Sequence, residues 1–162
     1  MSTVTLIATL QIMRFKKTAK RAATLLTTLF LAPVAIPAQK PSGCLPYEPV
    51  VVELKGTIIR RTFPGPPNYE SVKRGDRPEV VWLLILREPI CMQEDKNDPG
   101  INIAQTDIRE IQIVFSEADG YKKYKSFVGT AKTVIVTGTL FGSHTGHHHT
   151  RVLITAKTLA AD

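Results

Sequence analysis

The chain has 162 residues, of which 21 are Lys or Arg and 14 are Asp or Glu, a net charge of +7. Such an excess points to nucleic acid when it lies on a folded domain. Five basic residues and no acidic one precede Gln39, however, so the rest of the chain carries a balance of about +2. A nucleic-acid partner is set aside on that ground.

The basic residues Arg14, Lys16, Lys17, Lys20 and Arg21 are followed by an apolar stretch from residue 22 to residue 36. A charged start and an apolar run too short to span a membrane read as a secretory signal peptide, here residues 13–38. Residues 1–12 precede a second methionine, Met13, and read as an extension ahead of the true start. The alternative is an uncleaved anchor. Residues 39–162 then form a single domain, expected in the periplasm or secreted, without stable membrane insertion after cleavage. Two cysteines remain there, Cys44 and Cys91. An even count in an oxidising compartment favours a disulfide between them.

Five β-patterned segments follow. In residues 50–62, Val50, Val52, Leu54 and Ile58 alternate with more polar neighbours, and Gly56 marks a bend or bulge. Residues 80–92 open apolar on both faces, as a central strand does, and Pro89 demotes the far end to an edge or bulge. Residues 108–115 place Ile111, Ile113 and Phe115 on one face. Next, Tyr121, Tyr124 and Phe127/Val128 fall at helical spacing with Lys122, Lys123 and Lys125 outward; Asp119 or Ser116 caps the start and Gly129 the end. Residues 132–141 carry Val134, Val136 and Leu140, with a second bend at Gly138, and residues 151–159 carry Val152, Ile154 and Ala156. The order β-β-β-α-β-β predicts an all-β domain with one short helix, a five-stranded OB-like barrel. A β-sandwich is the alternative, but it calls for more strands and no mid-chain helix. Antiparallel pairing of the first two strands brings Cys44 towards Cys91.

Two loops carry the candidate chemistry. Residues 63–78 are stiffened by prolines and offer Phe63 and Tyr69. Residues 142–150, Gly-Ser-His-Thr-Gly-His-His-His-Thr, hold all four histidines of the chain. In an OB-fold these two loops flank the ligand face, so Phe63, Tyr69, His144, His147, His148 and His149 are the candidate contacts. Imidazole also binds metal. In an extended run His147 and His149 project to one side, and His144, Glu70 or Asp76 would supply a third ligand for zinc or copper. No His-Glu-x-x-His or other hydrolase spacing accompanies them, and no serine lies in a nucleophile elbow. A third reading makes the run a rigid turn, with hydroxyls and ring nitrogens bonded to loop backbone.

Four blocks are distinctive: Gly-Cys-Leu-Pro-Tyr-Glu-Pro at 43–49, Phe-Pro-Gly-Pro-Pro-Asn-Tyr-Glu-Ser at 63–71, Trp-Leu-Leu at 82–84, and Gly-Thr-Leu-Phe-Gly-Ser-His-Thr-Gly-His-His-His-Thr at 138–150. Together they resemble an uncharacterised bacterial family of small exported domains, a domain of unknown function sometimes joined to segments similar to periplasmic lysozyme inhibitors. The resemblance implies a cell-envelope setting and carries over no catalytic residue. The expected function is a non-catalytic exported module. It would bind an unknown protein or small ligand of the envelope on the face framed by residues 63–78 and 142–150, with Trp82 as a further contact or a core residue. The alternative is a zinc- or copper-binding protein using His144, His147 and His149, hydrolytic if the ion keeps an open position.

Overall fold

A computed structural model describes residues 43–162; the signal-peptide reading of residues 13–38 and the extension at 1–12 lie outside the described residues. Five strands form the domain: β1 (Val51–Pro64), β2 (Pro78–Met92), β3 (Gln105–Phe115), β4 (Val134–Gly142) and β5 (Val152–Ala161). They close into a barrel in the order β1-β2-β3-β5-β4. All neighbours are antiparallel except β3 and β5, which are parallel. This is the OB-like Greek-key barrel that the order of elements predicts.

Closure depends on β1 serving two neighbours. Val51 to Gly56 pair with β4, while Gly56 to Pro64 pair with β2. Gly56 sits at the changeover, where a Cβ would drive into the carbonyl of Ile85. The bend is possible because glycine lets two backbones approach. Gly138 plays the same part against Thr155, beside a register shift between β4 and β5. The far end of β2 is irregular around Pro89, with register shifts between Ile85 and Met92, because proline cannot donate to the ladder.

Alternation along the strands fills the barrel. Leu54, Ile58, Leu84, Ile111, Ile113, Val136, Leu140, Val152 and Ile154 are buried there with Trp82. Each fully buried aliphatic side chain contributes about 1.5–3 kcal/mol. Trp82 belongs to this core, edge-on to Phe115 at 5.8 Å and to Tyr121 at 5.2 Å. Val50 departs from its expected inward position: it precedes β1 and is 47% exposed.

Between β3 and β4 the expected helix is shorter than its spacing suggests. One α-helical turn, α1 (Gly120–Lys123), passes into a 3-10 turn at Lys125–Phe127. Asp119 precedes it without a side-chain cap bond. Tyr124 stacks on Phe115 at 5.6 Å, so aromatic packing rather than helical length holds the segment in place. Gly129 ends it with φ 72° and donates its N–H to Ile58 at 2.8 Å.

Cys44 and Cys91 form a disulfide. The segment around Cys44 reaches β2 by its own route, not as a continuation of β1, whose first half is engaged with β4. Leu45 bridges Met92 in parallel, with Leu45 N–H donating to Cys91 O at 2.7 Å and Gln93 N–H to Leu45 O at 2.8 Å.

One row of outward side chains crosses the whole barrel. The registers align Ile59 with Leu83, Leu83 with Gln112, Gln112 with Leu153, and Leu153 with Phe141. Leu83 and Leu153 are fully buried yet lie outside the interior cluster. Their burial explains the two-faced apolarity of β2, and what lies over this row forms the candidate site.

Candidate functional site

The β1–β2 loop is built around one carboxylate. Asp76 is 4% exposed and accepts the backbone N–H groups of Ser71 at 2.7 Å, Glu70 at 2.8 Å and Asn68 at 2.9 Å. The side-chain amide of Asn68 adds a bond at 3.1 Å. The N–H bonds from Ser71 and Asn68 outweigh burial and hold its carboxyl down to about 2. Gly65 N–H to Arg77 O at 2.7 Å and Arg77 N–H to Pro66 O at 2.9 Å close the loop base. A single 3-10 turn occupies Val72–Arg74. Tyr69 takes φ 58°, a left-handed conformation that the surrounding bonds maintain. Glu70 pairs with Arg74 at 2.9 Å on the surface.

The β4–β5 loop folds back over the outward row. Gln112, 5% exposed, clamps it from β3: its side-chain amide donates to His147 O at 3.0 Å, and its carbonyl accepts His149 N–H at 2.7 Å. Thr150 Oγ1 accepts Gln112 N–H at 2.9 Å and donates to Val152 O at 2.7 Å. At the other side, Phe141 packs against the rings of His148 at 5.5 Å and His144 at 5.9 Å. The His144 N–H donates to His148 Nδ1 at 3.1 Å, which requires that nitrogen to be unprotonated. Burial first, then the neighbouring imidazoles of His144, His147 and His149, push His148 below the ordinary histidine value.

Glu79 joins the two loops. It stands near the start of β2, opposite Phe63 in the β1–β2 register. One oxygen meets His147 Nδ1 at 2.6 Å and the other meets His149 Nε2 at 3.0 Å. His147 is half exposed, at 58%, while His149 is nearly covered, at 9%. The ring of His149 stacks on Phe63 at 4.4 Å and 5°. His147 Nε2 lies 3.1 Å from the Tyr69 hydroxyl. With the Nδ1 proton given to Glu79, Nε2 accepts from that hydroxyl. Gly146 lies against the Tyr69 ring so closely that a Cβ would come within 2.9 Å of it. Burial pushes the Glu79 carboxyl up, but the hydrogen bonds and charges of His149 and His147 outweigh it and leave Glu79 below its ordinary value.

Phe63, Tyr69, His147 and His149 thus come together, and His144 and His148 form a separate pair. The three nitrogens of the expected metal set do not share a point. The inward nitrogens of His147 and His149 face Glu79, and His144 Nδ1 lies 3.0 Å from Gly142 O. Asp76 and Glu70, the other expected ligands, are bonded within their own loop. Among the described residues no group of three or more His, Cys, Asp or Glu is placed to hold a metal ion. The Tyr69 hydroxyl lies against His147 Nε2, whose ring holds Glu79 through Nδ1, and this chain of contacts cross-links the two loops.

Glu79 and Gln112 are the residues that sequence reasoning missed. Both lie on strands, where a polar residue reads as a solvated position. A register of β1 against β2 would have exposed Glu79, which faces Phe63 at the root of the loop. Gln112 sits between buried Ile111 and Ile113, and only the loop above its face gives it a partner.

Residues 110–160 match the family model of a domain of unknown function, DUF4431. The match runs from β3 to β5 and contains the histidine run, the last of the four distinctive blocks. No curated protein and no solved structure matches the chain.

Proposed function

We propose that the protein is an exported, non-catalytic binding module whose contact surface is the platform made by the two cross-linked loops. The observation that carries this reading is the Glu79 bridge, which makes one rigid surface from two loops separated by about 70 residues of chain. Pre-ordered loops of this kind favour recognition, because little conformational entropy remains to be lost on binding. Phe63, Tyr69, His144 and His147 supply aromatic and imidazole edges to a ligand. Export is supported by the leader-like segment at 13–38 and by the disulfide, which persists in an oxidising compartment.

The test is capture from a cell-envelope extract on immobilised protein. A Phe63→Ala/Tyr69→Ala double variant should lose the retained species, and Lys122→Ala on the remote helical turn should keep it. Equal retention by all three would overturn the reading. Protein purified without a metal column should hold sub-stoichiometric zinc and copper, and added zinc should leave its thermal stability unchanged. A stoichiometric ion that disappears in His147→Ala/His149→Ala would replace the binding-module reading with the metalloprotein one.

A further inference from the structure

The barrel has one incomplete seam. The β3–β5 ladder begins only at Gln112 opposite Leu153. Earlier in β3, from Gln105 to Ile111, β2 pairs on one side, and among the described residues no strand pairs on the other. The Gln112 N–H points to that other side, because it meets Thr150 Oγ1. By strand alternation Glu110 presents its N–H and C=O to the same flank. A cavity of about 250 Å³ lies there, lined by residues 107–110 of β3 and by His149, Thr150 and Arg151.

The charges in this cleft are unevenly matched. Glu110 is held by Arg61 through two bonds of 2.7 and 2.9 Å, and Asp107 by Arg109 at 2.8 Å. Glu79 takes His149. Arg151 has no carboxylate partner among the described residues; its guanidinium donates only to the carbonyls of Thr106 at 3.2 Å and Asp107 at 3.1 Å. The cleft therefore offers an unpaired strand flank beside a cation that lacks a counter-charge.

We propose that the flank of β3 from Asp107 to Ile111 is a strand-addition site for an extended acidic segment of a partner protein. The inference rests on the reading of the chain as a binding module and names the partner class. An added strand would pair with the Glu110 backbone, as exposed sheet edges pair with extended peptides. Its acidic side chain would draw Arg151 away from the two carbonyls. Asp107 turns left-handed at φ 52°, so the regular part of the flank, Ile108 to Ile111, spans about 13 Å and suits a short segment. His149, Thr150 and Arg151 wall the other side of the cleft, so the bound segment would lie against them once Arg151 had left the carbonyls of Thr106 and Asp107.

The test uses a displayed library of random linear decapeptides against the whole folded domain. Selected peptides should be rich in Asp and Glu. A synthetic copy of one should slow hydrogen exchange at the Glu110 amide, and N-methylation of its alternate amides should weaken binding at least tenfold. Arg151→Gln should weaken the same peptide about tenfold. The N-methyl series uses unaltered protein, so it decides the matter even if Arg151→Gln fails to fold. Peptides indifferent to N-methylation, or a library without binders, would overturn the strand-addition site. If Phe63→Ala/Tyr69→Ala still abolished capture from extract in that case, the platform reading would stand without it.

Discussion

Two carboxylates of similar sequence context do different work. Asp76 accepts three backbone N–H groups inside one loop, whereas Glu79, three positions later, links two loops. Glu79→Gln leaves a single acceptor oxygen between His147 and His149 and no charge, and should lower stability by about 1–2 kcal/mol, less than a fully buried charged bond because His147 is half exposed. The amides of His147 and His149 should then exchange faster while the barrel amides stay protected. The pH dependence follows from the direction of the shift. The folded value of Glu79 lies below its ordinary 4.5, so its contribution is complete above that value and is lost as pH falls through the lowered folded value. Thermal unfolding of the native chain and Glu79→Gln should therefore differ at pH 7 and converge in acid. For Asp76 the same sign holds, with loss completed only as pH falls through about 2. Asp76→Asn leaves one backbone N–H without its acceptor and should speed proteolysis within residues 65–77, read as cleavage rate at neutral pH.

The strands were legible in the sequence because alternation and glycine placement act locally. Val134, Val136, Leu140, Val152 and Ile154 all lie inside the barrel where their spacing puts them. What escaped depends on register. The partner of His147 could not be read from neighbours in sequence, since Glu79 lies 68 residues away. The helical turn escaped for another reason: Tyr121, Tyr124 and Phe127 have helical spacing, but Phe115 packs against Gly120 and Tyr124 and fixes the segment as a tight, two-part turn. Gly56 is the element on which closure most depends. Gly56→Ala should destabilise by about 1–3 kcal/mol, because its Cβ meets the Ile85 backbone rather than a movable side chain. Chemical denaturation of this variant beside Gly129→Ala would separate a backbone collision from the strain of a left-handed residue, since nothing crowds Gly129.

At the scale of the molecule, the disulfide spans 47 residues of chain, for which the loop-entropy model gives about 4 kcal/mol. Reduction should lower the unfolding free energy by about that amount, measurable by urea denaturation with and without reductant. The strand order was recoverable from sequence because only a few topologies accommodate three strands, a turn and two more. The seam between β3 and β5 was not, because it reflects where one ladder stops. The outward row of Ile59, Leu83, Gln112, Leu153 and Phe141 has a consequence for solubility. Leu83 and Leu153 are kept from water on the outside of the barrel, on either side of Gln112, which holds the histidine loop. A chain whose residues 143–149 were replaced by a short linker would keep its strands but lose the imidazoles packed on Phe141 and the loop backbone bonded to Gln112, which lies between the two leucines. An uncovered apolar patch there invites self-association, so the shortened protein should run larger than the native chain on gel filtration.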